Sequence, residues 1–186
     1  MKKLAIFLSI TCLLFTACES KKELSRDEAL KQIKEQKNYP KVIDYDVYCS
    51  DPEFGRKALD AGLETAGFVT VLRTQKLGDL TQPLITFTSK AKSYLLPTPE
   101  KDKAIDVQKV KLADEDVVEV TNIRKNGSGN KAVVEYSSAF KNVTPFAKLT
   151  TADFNKTKAN KAYFALGDQG WKLEKKPGLD FMELEK

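Results

Sequence analysis

An uncharged, mostly apolar run extends from Leu4 to Ala17, and the chain has no second apolar run of that length. After it the pattern turns periodic. Ala29, Leu30 and Ile33 fall on one face of a 3.6-residue repeat with lysines on the other, which predicts a helix. Ser25-Arg26-Asp27-Glu28 marks its start as a capping box, with the Ser25 hydroxyl accepting from the Glu28 amide. The helix should end near Lys37, because Pro40 biases the residue before it toward extended backbone. Val42 to Cys49 alternates and predicts a short strand. Ser50-Asp51-Pro52-Glu53 repeats the box spacing, and proline is tolerated in a first helical turn. Phe54, Ala58, Leu59, Leu63 and Ala66 then form the apolar face of a second helix, which Gly67 is placed to end.

Strand signals dominate from there. Phe68 to Leu72 and Leu84 to Phe87 are rich in β-branched and aromatic residues and flank a loop from Lys76 to Pro83. Thr88 can cap a short helix through Leu95, and Pro97-Thr98-Pro99 breaks the pattern as a linker. Ile105 to Leu112 alternates with a one-residue slip between Val107 and Val110 that suggests a bulge. Asp114-Glu115-Asp116 reads as a turn before a strand from Val117 to Arg124. Lys131 to Phe140 follows across the hairpin loop Asn126–Asn130. Thr150 to Asp153 suits a brief helical turn, and Ala162–Leu166 with Trp171–Glu174 a last hairpin. The expected fold class is α+β: a small helix-rich N-terminal half packed with a C-terminal antiparallel β-meander. The expected divisions are residues 1–17, a tether 18–24, a helix and hairpin region 25–97, and a sheet region 98–186.

The first run carries more than hydrophobicity. Met1-Lys2-Lys3, an apolar stretch and a small residue at Ala17 have the layout of an export signal. The run is too short to remain as a membrane-spanning helix, which needs roughly 20 residues. Leu14-Phe15-Thr16-Ala17-Cys18 resembles the lipobox of bacterial lipoproteins. The resemblance implies lipidation of the Cys18 sulfur, cleavage just before it and attachment of the mature chain to a membrane. Several acyl chains anchor firmly where one would not. In that family a residue other than aspartate after the cysteine permits transport to the outer membrane of a Gram-negative host, and Glu19 stands there.

Charge and cysteine content narrow the classes that remain. Of 31 basic residues the signal removes Lys2 and Lys3, which leaves 29 against 26 acidic residues, a mature charge of +3. That is a solubility statement and not a nucleic-acid footprint. With Cys18 lipidated and Cys12 removed, Cys49 is the one free thiol, so no intramolecular disulfide can staple the fold. Val47-Tyr48-Cys49 is apolar, and Cys49 reads as a small buried hydrophobe.

Two longer stretches resemble known folds. Ala66-Gly67-Phe68-Val69-Thr70-Val71, followed by Pro83-Leu84-Ile85-Thr86-Phe87-Thr88-Ser89-Lys90-Ala91-Lys92, looks like the recognition helix, wing and following helix of a winged-helix domain. That fold usually binds DNA, which export argues against. The meander from Ile105, ending in Gly170-Trp171-Lys172-Leu173, is similar to the last strands of cystatin-like or nuclear-transport-factor-2-like sheets. Those folds build pockets as often as interaction surfaces. Trp171 itself reads as a core residue.

Histidine is absent, which removes the usual nucleophilic triads and the commonest metal ligand. The carboxylates Asp44, Asp46, Asp51 and Glu53 remain as a candidate acid–base or calcium site, although capping already explains Asp51 and Glu53. No catalytic residue, metal or cofactor is assigned, and Cys18 is the one site assigned. The expected function is a membrane-anchored, non-catalytic binding or structural module in the cell envelope. Its partners would be the membrane, through the lipid, and an envelope protein or small ligand, with no nucleic acid. The alternatives are an exported inhibitor or immunity protein against a lytic enzyme or toxin, and a carboxylate-dependent envelope hydrolase.

Overall fold

A computed structural model describes residues 23–74 and 82–184. The export signal, Cys18, most of the tether and most of the expected loop from Lys76 lie outside them. In chain order the helices are α1 (Arg26–Gln36), α2 (Pro52–Asp60) and α3 (Glu100–Lys103). The strands are β1 (Lys41–Tyr48), β2 (Val69–Val71), β3 (Ile85–Phe87), β4 (Val107–Lys125), β5 (Lys131–Lys141), β6 (Lys158–Gly167) and β7 (Gly170–Glu174). Short 3-10 turns cover Ser89–Tyr94, Pro145–Leu149 and Leu179–Leu184.

Five strands form one antiparallel sheet in the order β1-β4-β5-β6-β7, curled into a half-barrel, and β2-β3 form a separate hairpin. The expected α+β division with a helix-rich N-terminal half is therefore corrected. Strand outweighs helix, 39% to 26%, and β1, from the N-terminal part, is an edge strand of the main sheet. The helical signals before residue 97 fall short for local reasons. Gly62 takes a left-handed φ of 69° and breaks the second helix after Asp60. Gly67, at φ 76°, closes a separate turn, and Ala66 stays exposed. Asp51 caps α2, accepting from the Glu53 amide at 2.7 Å, where the spacing had pointed to Ser50. Thr88 does not cap the following turn; its hydroxyl donates to the carbonyls of Gly67 and Phe68.

β4 organises the molecule. It is 19 residues long, and its pairing slips three times. Against β1, Ile43 faces Ala113 and Asp44 faces Lys111, which leaves Leu112 as the extra residue. Against β5 the register steps between Val117 and Glu119 and again between Val120 and Asn122. Each bulge resets the two-residue alternation and bends the strand. Val110, Leu112, Ala113, Glu115, Val117 and Val120 are accordingly all buried despite uneven spacing. The expected slip between Val107 and Val110 is regular pairing, and the bulge sits at Leu112 instead. Asp114-Glu115-Asp116 is strand, not turn, because each carboxylate finds a partner: Lys111 for Asp114, Ser138 for Glu115, and Lys34 and Lys141 for Asp116.

Two apolar clusters fill the sheet along β4. One joins α1 to β4–β7 through Leu24, Ala29, Ile33, Val120, Val134, Tyr136, Phe164 and Trp171. The other joins β1, α2, the β2-β3 hairpin and the 3-10 turns through Val47, Leu63, Phe68, Ile85, Val110, Leu112 and Phe146. α1 also ties down the sheet, on β4 and on the β7 edge. Arg26 donates to the Thr121 carbonyl of β4 at 3.3 Å. The Gln32 amide donates to Trp171 O at 2.8 Å and accepts from Leu173 N at 3.1 Å, as a neighbouring strand would on β7. The expected linker at Thr98 is likewise pinned, with the Thr98 hydroxyl accepting from Lys109 N at 2.9 Å and from the Gln108 amide at 3.1 Å.

Candidate functional site

The four carboxylates singled out in the sequence do not converge. Asp44 and Asp46 share one face of β1, as their spacing implied, and both grip Lys109 of β4, at 3.0 and 2.7 Å. Those hydrogen bonds, Asp46 first and then Asp44, hold the Lys109 ammonium well above the usual lysine range. Asp51 is occupied as the cap of α2, and Glu53 pairs with Lys57 at 3.0 Å. Among the described residues no group of three or more acidic or thiol side chains is arranged to hold a metal ion.

Cys49 is buried, and its thiol donates to the Val47 carbonyl at 3.6 Å. Burial, helped by the charge of Asp106, pushes it up to about 11. A thiol held protonated in this way is a poor nucleophile. Trp171 is core, 3% exposed.

A polar seam between the two apolar clusters was not visible beforehand. Cross-strand pairing sets Glu115 opposite Phe140, Val117 opposite Ser138, and Ser138 opposite Lys158. The fully buried Ser138 hydroxyl donates to Glu115 Oε1 at 2.6 Å and accepts from the Asn160 amide at 2.9 Å. Lys158 reaches Glu115 Oε2 at 3.5 Å and lies 4.4 Å from the Phe140 ring centre. Nearby, the Tyr136 and Tyr39 hydroxyls stand 3.5 Å apart, and burial drives the Tyr136 phenol upward, with Tyr39 adding to it. Every group in the seam has a partner and Ser138 is fully buried, so the network holds β4, β5 and β6 together across the sheet. Only pairing between strands far apart in sequence brings these residues together.

The surface around Lys109 has the opposite character. Asp44, Tyr45, Asp46, Tyr48, Phe54 and Lys109 line a shallow hollow of about 350 Å³. The Phe54 ring lies 5.1 Å from Tyr48 and 6.0 Å from Tyr45, and the Lys57 ammonium lies 4.9 Å from its centre. Tyr48 is 43% exposed. The hollow is lined by two carboxylates and one ammonium and sits on β1, which among the described strands pairs only with β4. The sequence named Asp44 and Asp46 but not Lys109, Tyr48 or Phe54. A lysine recurring on a strand carries no mark of the acids it will face across the sheet.

No described helix is long and apolar enough to cross a membrane. Comparison with protein-family models, with curated proteins and with solved structures gives no match. The lipobox and the two fold resemblances therefore stand on the residues quoted for them.

Proposed function

We propose that this is an exported lipoprotein, acylated at Cys18, that works as a non-catalytic binding module and takes a protein partner along β1. The observation that carries the reading is the unequal treatment of the two sheet edges. The β7 edge is closed by Gln32, whereas β1 is left as an edge beside exposed Tyr48 and the Asp44–Asp46–Lys109 group. Unprotected edges invite strand addition, and folds usually blunt them. An extended peptide that pairs with an edge gains main-chain hydrogen bonds there and specificity from side-chain pockets. Tyrosine is one of the residue types enriched at the anchoring positions of interfaces. The net negative hollow suits a segment carrying lysine or arginine. Asp44 and Asp46 on the same strand disfavour the self-pairing of two copies, since like charges placed opposite each other repel.

A photo-crosslinking residue at Tyr48 of the full-length protein, in its own cells, tests this. One adduct of defined mass should form at Tyr48 and none at exposed Lys156, and Asp44→Asn with Asp46→Asn should weaken it. No adduct at Tyr48, or equal adducts at both positions, would overturn the proposal.

A further inference from the structure

We infer that the tip of the β4-β5 hairpin, together with the apolar turn Leu179–Leu184, is a docking surface for the lipid bilayer that holds Cys18. The inference rests on the lipoprotein reading and adds an orientation to it. Leu24 is buried against the sheet, 3% exposed, so the body begins only six residues after Cys18. Six residues span at most about 20 Å even when fully extended. The bilayer surface therefore lies close to the point where the chain enters the fold.

That point is fixed by contacts. Glu23 pairs with Lys125, the last residue of β4, at 3.2 Å. On the other strand of the same hairpin, Lys131 pairs with Asp180 at 3.1 Å and lies 5.0 Å from the Phe181 ring centre. Lys125 stands opposite Ala132, the residue next to Lys131. The start of the body and the C-terminal turn thus lie at the same end of the sheet, on its two faces. Phe181 fastens the turn: it is 2% exposed and packs edge-on against Tyr163 at 5.3 Å.

The rest of the turn is not fastened. Leu179 is 83% exposed and Met182 58%, the two most open large apolar side chains of this end. Both lie beside a hollow of about 380 Å³ formed with Tyr163, Pro177 and Phe181. Lys172, Lys175 and Lys176 are exposed on the segment that leads into it. Three lysines precede the exposed apolar pair, with Glu174 and Asp180 among them, so the apolar side chains carry the interfacial contact. Each lysine near an anionic leaflet adds electrostatic attraction within a Debye length. β4 then runs away from the bilayer for 19 residues, which is roughly 60 Å at strand rise before bending. The Tyr48 hollow is carried at its far end.

The test uses the acylated mature protein, purified from membranes and reconstituted into vesicles of phosphatidylethanolamine and phosphatidylglycerol. An environment-sensitive fluorophore is placed on Met182→Cys and, separately, on Lys156→Cys; Cys49 is buried and does not compete. The Met182 label should be quenched by lipid-borne quenchers and several-fold protected from a water-soluble one, with the reverse at Lys156. Equal exposure of both labels in an acylated protein overturns the inference alone. Protection that appears only in native envelopes also overturns it, since it means a protein covers the turn. A mass showing no acyl chain overturns the inference and the lipoprotein reading together.

Discussion

The two ends of β4 are covered in different ways. The α1 end is roofed by a single amphipathic helix, with Ala29 and Ile33 fully buried, β4 held by Arg26 and the β7 edge held by Gln32. The β1 end is roofed by pieces: a nine-residue helix, a hairpin of two three-residue strands and two 3-10 turns, gathered around Phe146. Phe68, Phe87 and Tyr94 all lie within about 6 Å of that ring, centre to centre. The regular roof closes the β7 edge as a by-product of spanning the sheet. A pieced roof leaves β1 open and puts aromatic side chains near the surface.

Because β4 runs through both clusters, the ends should unfold as one. Phe164→Ala at the α1 end and Phe146→Ala at the β1 end should each cost about 3–5 kcal/mol, the usual range for a fully buried phenylalanine. Thermal unfolding followed by far-ultraviolet circular dichroism should show a single lowered transition for both variants. Two separated transitions for Phe146→Ala would break the picture of a shared strand.

Gln32→Ala sharpens the contrast between the edges. It removes two hydrogen bonds from β7 and exposes Trp171 O and Leu173 N, which should cost about 1–3 kcal/mol. It also turns the closed edge into an open one, so light scattering should detect self-association absent from the wild type. Unchanged stability and a monomeric variant would show that Gln32 does not seal the sheet.

The smallest effects are those of pH. Glu64 is held below the usual carboxylate range by the Val71 amide and then Arg73, and Asp114 by Lys111 and then Asn142. A lowered folded pKa gives stability that is present above the unfolded value and is lost as pH falls through the folded one. Below about pH 4 the protein should weaken, and Glu64→Gln with Asp114→Asn should flatten that decline. Cys49 has the opposite sign. Its contribution is complete below the ordinary thiol value and is lost as pH rises toward about 11. Cys49 should resist alkylation at neutral pH in the native protein and react readily in denaturant.

What the sequence revealed follows the same contrast. α1 was legible because a capping box and a helical repeat are local signals, and the Ser25 hydroxyl does accept from Glu28 N at 3.1 Å. The β4-β5 and β6-β7 hairpins were legible because their turns join adjacent strands. The place of β1 was not, because Asp46 meets Lys109 across 63 positions, and no local pattern encodes that register. The pieced roof was misread for a related reason. Apolar spacing from Phe54 to Ala66 imitates one helix, and only the backbone at Gly62 divides it. The Glu115–Ser138 seam was hidden because three acidic residues in a row resemble a turn until their cross-strand partners are known.

The proposed orientation, with the hairpin tip at the bilayer and the β1 hollow presented away from it, depends on Cys18. The most direct measurement is the intact mass and amino-terminal sequence of the mature protein extracted from envelopes. The mature chain should begin at Cys18 and carry the added mass of a diacylglyceryl group. A chain that begins elsewhere, or one that begins at Cys18 with a free thiol, would contradict it.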